Sequence, residues 1–204
     1  MDEFSQISNM EAGPRKTAAL VQWVQGLYRR EKDRPVLVGG AAVELFTGGA
    51  YLPGDLDLVG SVTPTVASAF KQCGFTREGR HWFHEKEHLF LEFPSPTLRK
   101  DEEARERVFG DCSVRIISSE DLIADRLAAW VLLRSAIDGI NAFLLYRAVE
   151  AELDLRRLEG RAVSQNVYSA LDSVRKLFSD HGGDIPDDDV ILKWAAPWKG
   201  EALP

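Results

Sequence analysis

Apolar positions follow two regimes along the chain. Over roughly the first 117 residues, short apolar runs alternate with amphipathic stretches. Residues 14–31 (PRKTAALVQWVQGLYRRE) place Leu20, Val21, Val24, Leu27 and Tyr28 on one helical face, with Pro14 suited to the first turn. VLVGG (36–40) reads as a short buried strand stopped by two glycines, and AAVELFTGG (41–49) as a helix ending on a second glycine pair. LDLVG (56–60) is another strand, and PTVASAFKQCGF (64–75) an amphipathic helix closed by Gly74. TREGRHWFHE and HLFLEFP read as two strands around a charged turn, and DCSVRII (111–117) as one more. Between them, TLRKDEEARERV reads as a solvated charged helix or loop.

From Ser118 the apolar spacing is helical almost to the end, in SSEDLIADRLAAWVLLRSA, GINAFLLYRAVEAELDLRRLEG and SQNVYSALDSVRKLFSDHGG. Breaks fall at Asp138-Gly139, Gly160 and Gly182-Gly183. The tail from Asp184 has no clear type, although VILKWAAPW is apolar enough to dock. The expectation is an α+β protein, with a small mixed β-sheet and flanking helices over residues 1–117 and a helical bundle over 118–204.

Composition narrows the function classes only slightly. The 204 residues carry a net charge of −7, which argues against broad, nonspecific binding to nucleic acid or anionic membrane but leaves local charge open. The opening MDEFSQISNM is acidic and polar, unlike a secretory leader, and no apolar run approaches the roughly 20 residues that span a bilayer. Cys73 and Cys112 sit apart, in neither a metal spacing nor a disulfide framework. These features lead us to expect a cytoplasmic protein without a membrane partner.

Chemistry concentrates in VLVGGAAVELFTGGAYLPGDLDLVG, residues 36–60. In a strand, Asp55 and Asp57 share one face while Leu56 and Leu58 point to the core. Neighbouring carboxylates repel unless a cation sits between them, and hard Mg²⁺ favours oxygen donors together with substrate phosphates. Gly39-Gly40, between a strand and a helix, lets backbone N–H groups approach an anion. Alone, a D-x-D at a strand end is common and a glycine pair is usually just a turn. In this order, with a short helix between, the combination is less common.

Strand–Gly39-Gly40-Ala41–helix–Asp55-Leu56-Asp57 resembles the nucleotidyltransferase superfamily that includes DNA polymerase β-like and aminoglycoside-modifying enzymes. VGGAAVEL and GDLDLV are closest in style to a bacterial group that includes abortive-infection-type toxins, and ISSEDLIADRLAAW resembles that group's helix after the last strand. The likeness covers roughly residues 36–130, and the spacing from the glycines to DLDL is its most specific part. It implies a nucleotidyltransferase-type sheet and transfer of an NMP group from an NTP to an acceptor. Asp55 and Asp57 would hold Mg²⁺ or Mn²⁺, Gly39, Gly40 and Ala41 would form the nucleotide-binding turn, and Arg126 would reach the triphosphate. It also implies a third acid on a neighbouring strand. Glu92 is the candidate, because alternation turns Leu89, Leu91 and Phe93 one way and His88, Phe90 and Glu92 the other. As a general base or further ligand, Glu92 would complete the catalytic set; its plain alternative is a solvated edge-strand residue.

Three departures stand out: Ala41 where Ser or Thr is usual, Gly54 where Thr or Ser often precedes the first Asp, and Arg126 where Lys is frequent. They leave room for a noncatalytic nucleotidyltransferase-like protein that binds nucleotide or a protein partner. The acceptor stays open among RNA, protein and small molecule, as does control by an antitoxin-like protein. Arg126 has a structural reading of equal weight, in which Asp125 and Arg126 make partly buried hydrogen bonds. Arg115, projecting from the last strand, is a weaker phosphate candidate. Asp187-Asp188-Asp189 reads as a helix-start charge cluster.

One further motif points elsewhere. HEKEH (84–88) matches the H-E-x-x-H of zinc peptidases, which requires both histidines on one helical face. The flanks alternate as strands do and Pro94 follows closely, so the expectation is a hairpin turn, and a zinc hydrolase ranks third.

Overall fold

The computed structural model describes residues 3–196 and Trp198. The chain forms two compact units that divide between Ser118 and Ser119.

The first unit opens with α1 (Glu3–Ser8) and α2 (Pro14–Gly26). The short α1 is held by Phe4, whose ring lies 4.9 Å from that of Trp23 and 5.3 Å from that of Phe75. Pro14 occupies the first turn of α2, where a missing N–H costs nothing. β1 (Val36–Val38) runs straight into α3 (Gly39–Thr47), so both glycines of VLVGG belong to the helix. There follow β2 (Leu56–Val59) and α4 (Pro64–Gln72), the latter capped by the Thr63 hydroxyl, which accepts from the Val66 N–H at 3.3 Å. β3 (Thr76–Glu78), β4 (His81–His84), β5 (Leu89–Glu92), β6 (Ala104–Phe109) and β7 (Cys112–Ile117) complete the sheet.

The strand order is β3-β4-β5-β2-β1-β7-β6, a mixed sheet. β1 lies antiparallel to β2 and parallel to β7, and β2 lies parallel to β5. Leu37, Leu58, Leu91, Val114 and Ile116 form its buried face together with Val21, Val24 and Phe70. Buried Gln25 ties α2 to the sheet: its amide donates to the carbonyls of Pro35 (3.0 Å) and Arg115 (2.8 Å) and accepts from the Arg115 N–H (3.0 Å). Every polar atom of that amide facing the backbone is thereby satisfied, as a buried polar group requires.

The mixed sheet with flanking helices and the following helices agree with the expected α+β class. Several local expectations fail: α1 was not expected, and the breaks read at Asp138-Gly139 and Gly160 fall inside helices Ala136–Val149 and Leu155–Ser164. The charged stretch TLRKDEEARERV, read as helix or loop, supplies β6, which pairs with β7 along six residues, from Ala104↔Ile117 to Phe109↔Cys112. It lies at the sheet edge, where charged side chains on a solvated strand discourage pairing with other chains. TREGRHWFHE is two strands folded about Gly79-Arg80, not one. The helix drawn through GINAFLLYRAVEAELDLRRLEG breaks at Glu150–Glu152, where a new helix begins under an Asp154 cap that accepts from the Arg157 N–H at 3.0 Å.

The second unit contains α5 (Ser119–Leu132), α6 (Ala136–Val149), α7 (Leu155–Ser164), α8 (Tyr168–Asp180) and α9 (Asp188–Ala195). α5 and α6 pack so closely that a Cβ on Gly139 would lie 2.7 Å from the Trp130 ring. The Trp130 indole N–H donates to the Ala195 carbonyl at 3.1 Å, and Trp194 lies 4.5 Å from Trp130, so the apolar tail docks as α9. Pro197, within the same tail segment, lies outside the described residues. Among the described residues, no helix is long and apolar enough to cross a membrane.

Candidate metal centre

The site begins at the centre of the sheet. β2 carries Asp57 between two neighbours, opposite Val38 of β1 on one side and Glu92 of β5 on the other. Asp55 precedes the strand by one residue and lies on the face of Asp57, as the i, i+2 relation demands. Asp55, Asp57 and Glu92 each place a carboxylate oxygen within 4.8 Å of the others. Asp55 is exposed and the other two are half-buried. The parallel register of β2 and β5 is what brings Glu92 to Asp57, and the outward turn of Glu92 follows from the burial of Leu91 and Phe93 beside it.

Gly39 is essential to this geometry. It has φ +66°, a conformation costly for any residue with a Cβ, and a Cβ there would strike the Asp57 carboxylate. The absence of a side chain lets the first turn of α3 close over Asp57, where the positive end of the helix favours negative charge. Gly40 is packed too: a Cβ on it would stand 2.9 Å from the Tyr51 ring. Ala41 is fully buried, so it offers only a backbone N–H in that first turn.

Two partners of Glu92 were not anticipated from the sequence. Arg80 Nε lies 2.8 Å from one carboxylate oxygen and His81 Nε2 3.4 Å from the other. A hairpin centred on Lys86-Glu87 sets His81 directly opposite Glu92, so the signal is readable once that turn is placed.

Two cavities meet at Asp55. One, of about 440 Å³, is walled by Glu78, His81, Phe83, Phe90 and Glu92; the other, of about 370 Å³, by Lys16, Thr17, Glu44 and His88. Both fall in the size range of small-molecule sites, about 300–1,000 Å³. Glu44, also missed by the sequence reading, is buried on α3, and burial pushes its carboxyl above the usual range despite a 2.6 Å hydrogen bond donated by the Thr17 hydroxyl.

The donor set suits a hard divalent cation: three carboxylates, no sulfur, and one open side at Asp55. Arg80 and His81 already contact Glu92, so a cation there would share that carboxylate with them.

The remaining candidates have partners of their own. Arg126, on α5 in the second unit, pairs with Asp138 at 2.8 Å, while Asp125 accepts from Gln165 at 3.3 Å. HEKEH forms the end of β4 and the turn into β5. His84 is buried against Phe4 and Phe75, and its Nδ1 accepts from the Glu87 N–H at 3.2 Å. His88 is exposed with φ +50° in the turn, so the two histidines lack the shared helical face of a zinc peptidase. Compared with protein-family models, characterised proteins and solved structures, the chain matches nothing in any of the three.

Proposed function

We propose that this protein is a metal-dependent nucleotidyltransferase, moving an NMP group from an NTP to a hydroxyl or phosphate acceptor. The observation that carries the reading is the convergence of Asp55, Asp57 and Glu92 within 4.8 Å, beside the Gly39 turn. Asp55 and Asp57 would hold Mg²⁺ or Mn²⁺, and Glu92 would serve either as a further ligand or as the general base. When bound, the cation neutralises triphosphate charge as it shifts toward the leaving group. Gly39 and Gly40 allow backbone N–H groups of α3 to approach phosphate oxygens.

In the reaction, an acceptor oxygen attacks the α-phosphorus and the bond to the bridging α–β oxygen breaks. Pyrophosphate leaves with the electron pair, and the acceptor proton passes to Glu92 or to water. Arg80 and His81 hold the Glu92 carboxylate in a fixed direction, which is what a proton acceptor needs. NTP and Mg²⁺ place such a reaction in the cytoplasm. RNA, a protein side chain and a small molecule all suit it as acceptor, and a toxin of this type would have an antitoxin-like inhibitor as partner.

A second reading is favoured by one observation. Because Glu92 already meets two cationic groups, part of the cluster's charge is balanced without a metal, as in a noncatalytic protein that only binds nucleotide. The two readings separate by incubating the protein with each α-labelled NTP, Mg²⁺ or Mn²⁺, and cell extract. Metal-dependent label transfer that Asp55→Ala/Asp57→Ala loses supports the enzyme, and the labelled species gives the acceptor class. Metal-dependent NTP binding with no transfer to any component supports the noncatalytic protein.

A further inference from the structure

The opposite end of the β1–β2 pair carries a site of inverse charge. Val36 pairs with Val59 there, two residues along β2 from Asp57, and the strand ends form the floor of a cavity of about 520 Å³. Its wall holds Arg30, Lys32, Arg34 and Arg115 against a single carboxylate, Asp33, in a chain whose net charge is −7. Three of these cations and Asp33 come from the loop between α2 and β1; Arg115 comes from β7.

The cations are not used up by local pairing. Arg30 is held by Asp33 at 2.6 Å, but Arg34 reaches Glu31 only at 4.0 Å. Arg115 donates to the Glu31 carbonyl at 3.3 Å, a neutral acceptor. The Nε atoms of both Arg34 and Arg115 are enclosed and find no hydrogen-bond partner among the described residues. Those enclosed atoms are closed to an entering ligand; what a ligand can meet is the exposed part of the Arg34 side chain, 38% accessible beside the cavity. Hydroxyl-bearing Ser61, Thr63 and Thr97 line the same cavity, and Thr63 is also the cap of α4, whose positive end opens there.

We propose that this cavity binds a phosphorylated small molecule of about mononucleotide size, without a metal, through Arg34 and Arg115. Planar guanidinium groups match phosphate oxygens in paired hydrogen bonds, and the hydroxyls serve the remainder of the ligand. A long polyanion is disfavoured because the rest of the chain is acidic, whereas one or two phosphates are recognised inside the local positive field. The site is separate from the carboxylate centre and stands or falls independently of the transferase reading.

The test is calorimetric titration of the full chain with pyrophosphate in EDTA. Saturable one-site binding is expected, weakened at least tenfold by Arg34→Gln/Arg115→Gln and retained by Asp55→Ala/Asp57→Ala. Absence of saturable binding to the unmodified protein overturns the proposal, as does equal binding by the arginine variant or loss of binding in the aspartate variant. If the arginine variant fails to fold, amide shifts of the unmodified protein decide. Saturating shifts at Ser61, Thr63 and Thr97 support the site, and their absence overturns it. A ten-residue single-stranded RNA competing at lower phosphate concentration than pyrophosphate would overturn the small-molecule assignment.

Discussion

The two units treat acidic side chains in opposite ways. On α5, Asp121 is fully buried and meets two arginines of α7, Arg157 at 2.6 Å and Arg161 at 2.8 Å. Its buried neighbour Glu120 accepts from the Asp154 N–H at 2.9 Å, beside the helix break. In the sheet unit, three carboxylates converge while one stands open to water, and Arg80 and His81 contact Glu92. Carboxylates matched by buried cations hold structure together. Carboxylates gathered on an accessible face are the arrangement on which the proposed metal site rests, since a bound cation would relieve their repulsion.

Substitutions should break the comparison in opposite directions. The largest effect is expected from Asp55→Ala/Asp57→Ala, with loss of metal-dependent nucleotidyl transfer by about 10³-fold or more, since the cation's charge stabilisation is removed. The melting temperature of the same variant should change far less than its activity, since relieved repulsion and the lost contact of Asp57 with the start of α3 oppose each other; calorimetry checks this. Next comes Asp121→Ala, which takes the carboxylate from buried Arg161 and half-buried Arg157. It should cost about 3–5 kcal/mol of stability by denaturant titration.

Gly39→Ala should be smaller but hit both properties. Positive φ costs about 1–3 kcal/mol in a residue with a Cβ, and displacement of Asp57 should depress nucleotidyl transfer at least tenfold. The smallest expected effect concerns Glu44. Its folded-state carboxyl titrates above the ordinary value of 4.5, so the folded protein binds more protons than the unfolded one between those two values. Stability is therefore lost as pH rises through that window and stays lower above it. Glu44→Gln should flatten the dependence, so that melting temperatures of variant and unmodified protein diverge in the variant's favour from pH 4 to pH 7.

Much of this arrangement was legible in the chain because strand alternation is a strong constraint. LDLV assigned Asp57 to the polar face of β2, and HLFLEFP turned Glu92 outward beside the buried Leu91 and Phe93. The meeting of β2 with β5 was implied only by the family resemblance, which asks for a third acid on a neighbouring strand; the residues alone do not fix a parallel register, which is set by tertiary pairing. β6 was missed because Arg and Glu mask alternation on an edge strand, where neither face needs to be apolar throughout. α1 was missed because its helical form depends on Phe4 finding Trp23 and Phe75, a contact no local pattern encodes. The helix break before α7 was hidden in continuous helix-forming residues, where only the Asp154 cap marks it.

The most direct test of the carboxylate centre is a Mn²⁺ titration followed by electron paramagnetic resonance, with a nonhydrolysable NTP analogue present. The account predicts one bound Mn²⁺ per chain, displaced by Mg²⁺ and lost in Asp55→Asn/Asp57→Asn with the fold intact. Undiminished Mn²⁺ binding in that variant, or none in the unmodified protein, would contradict it.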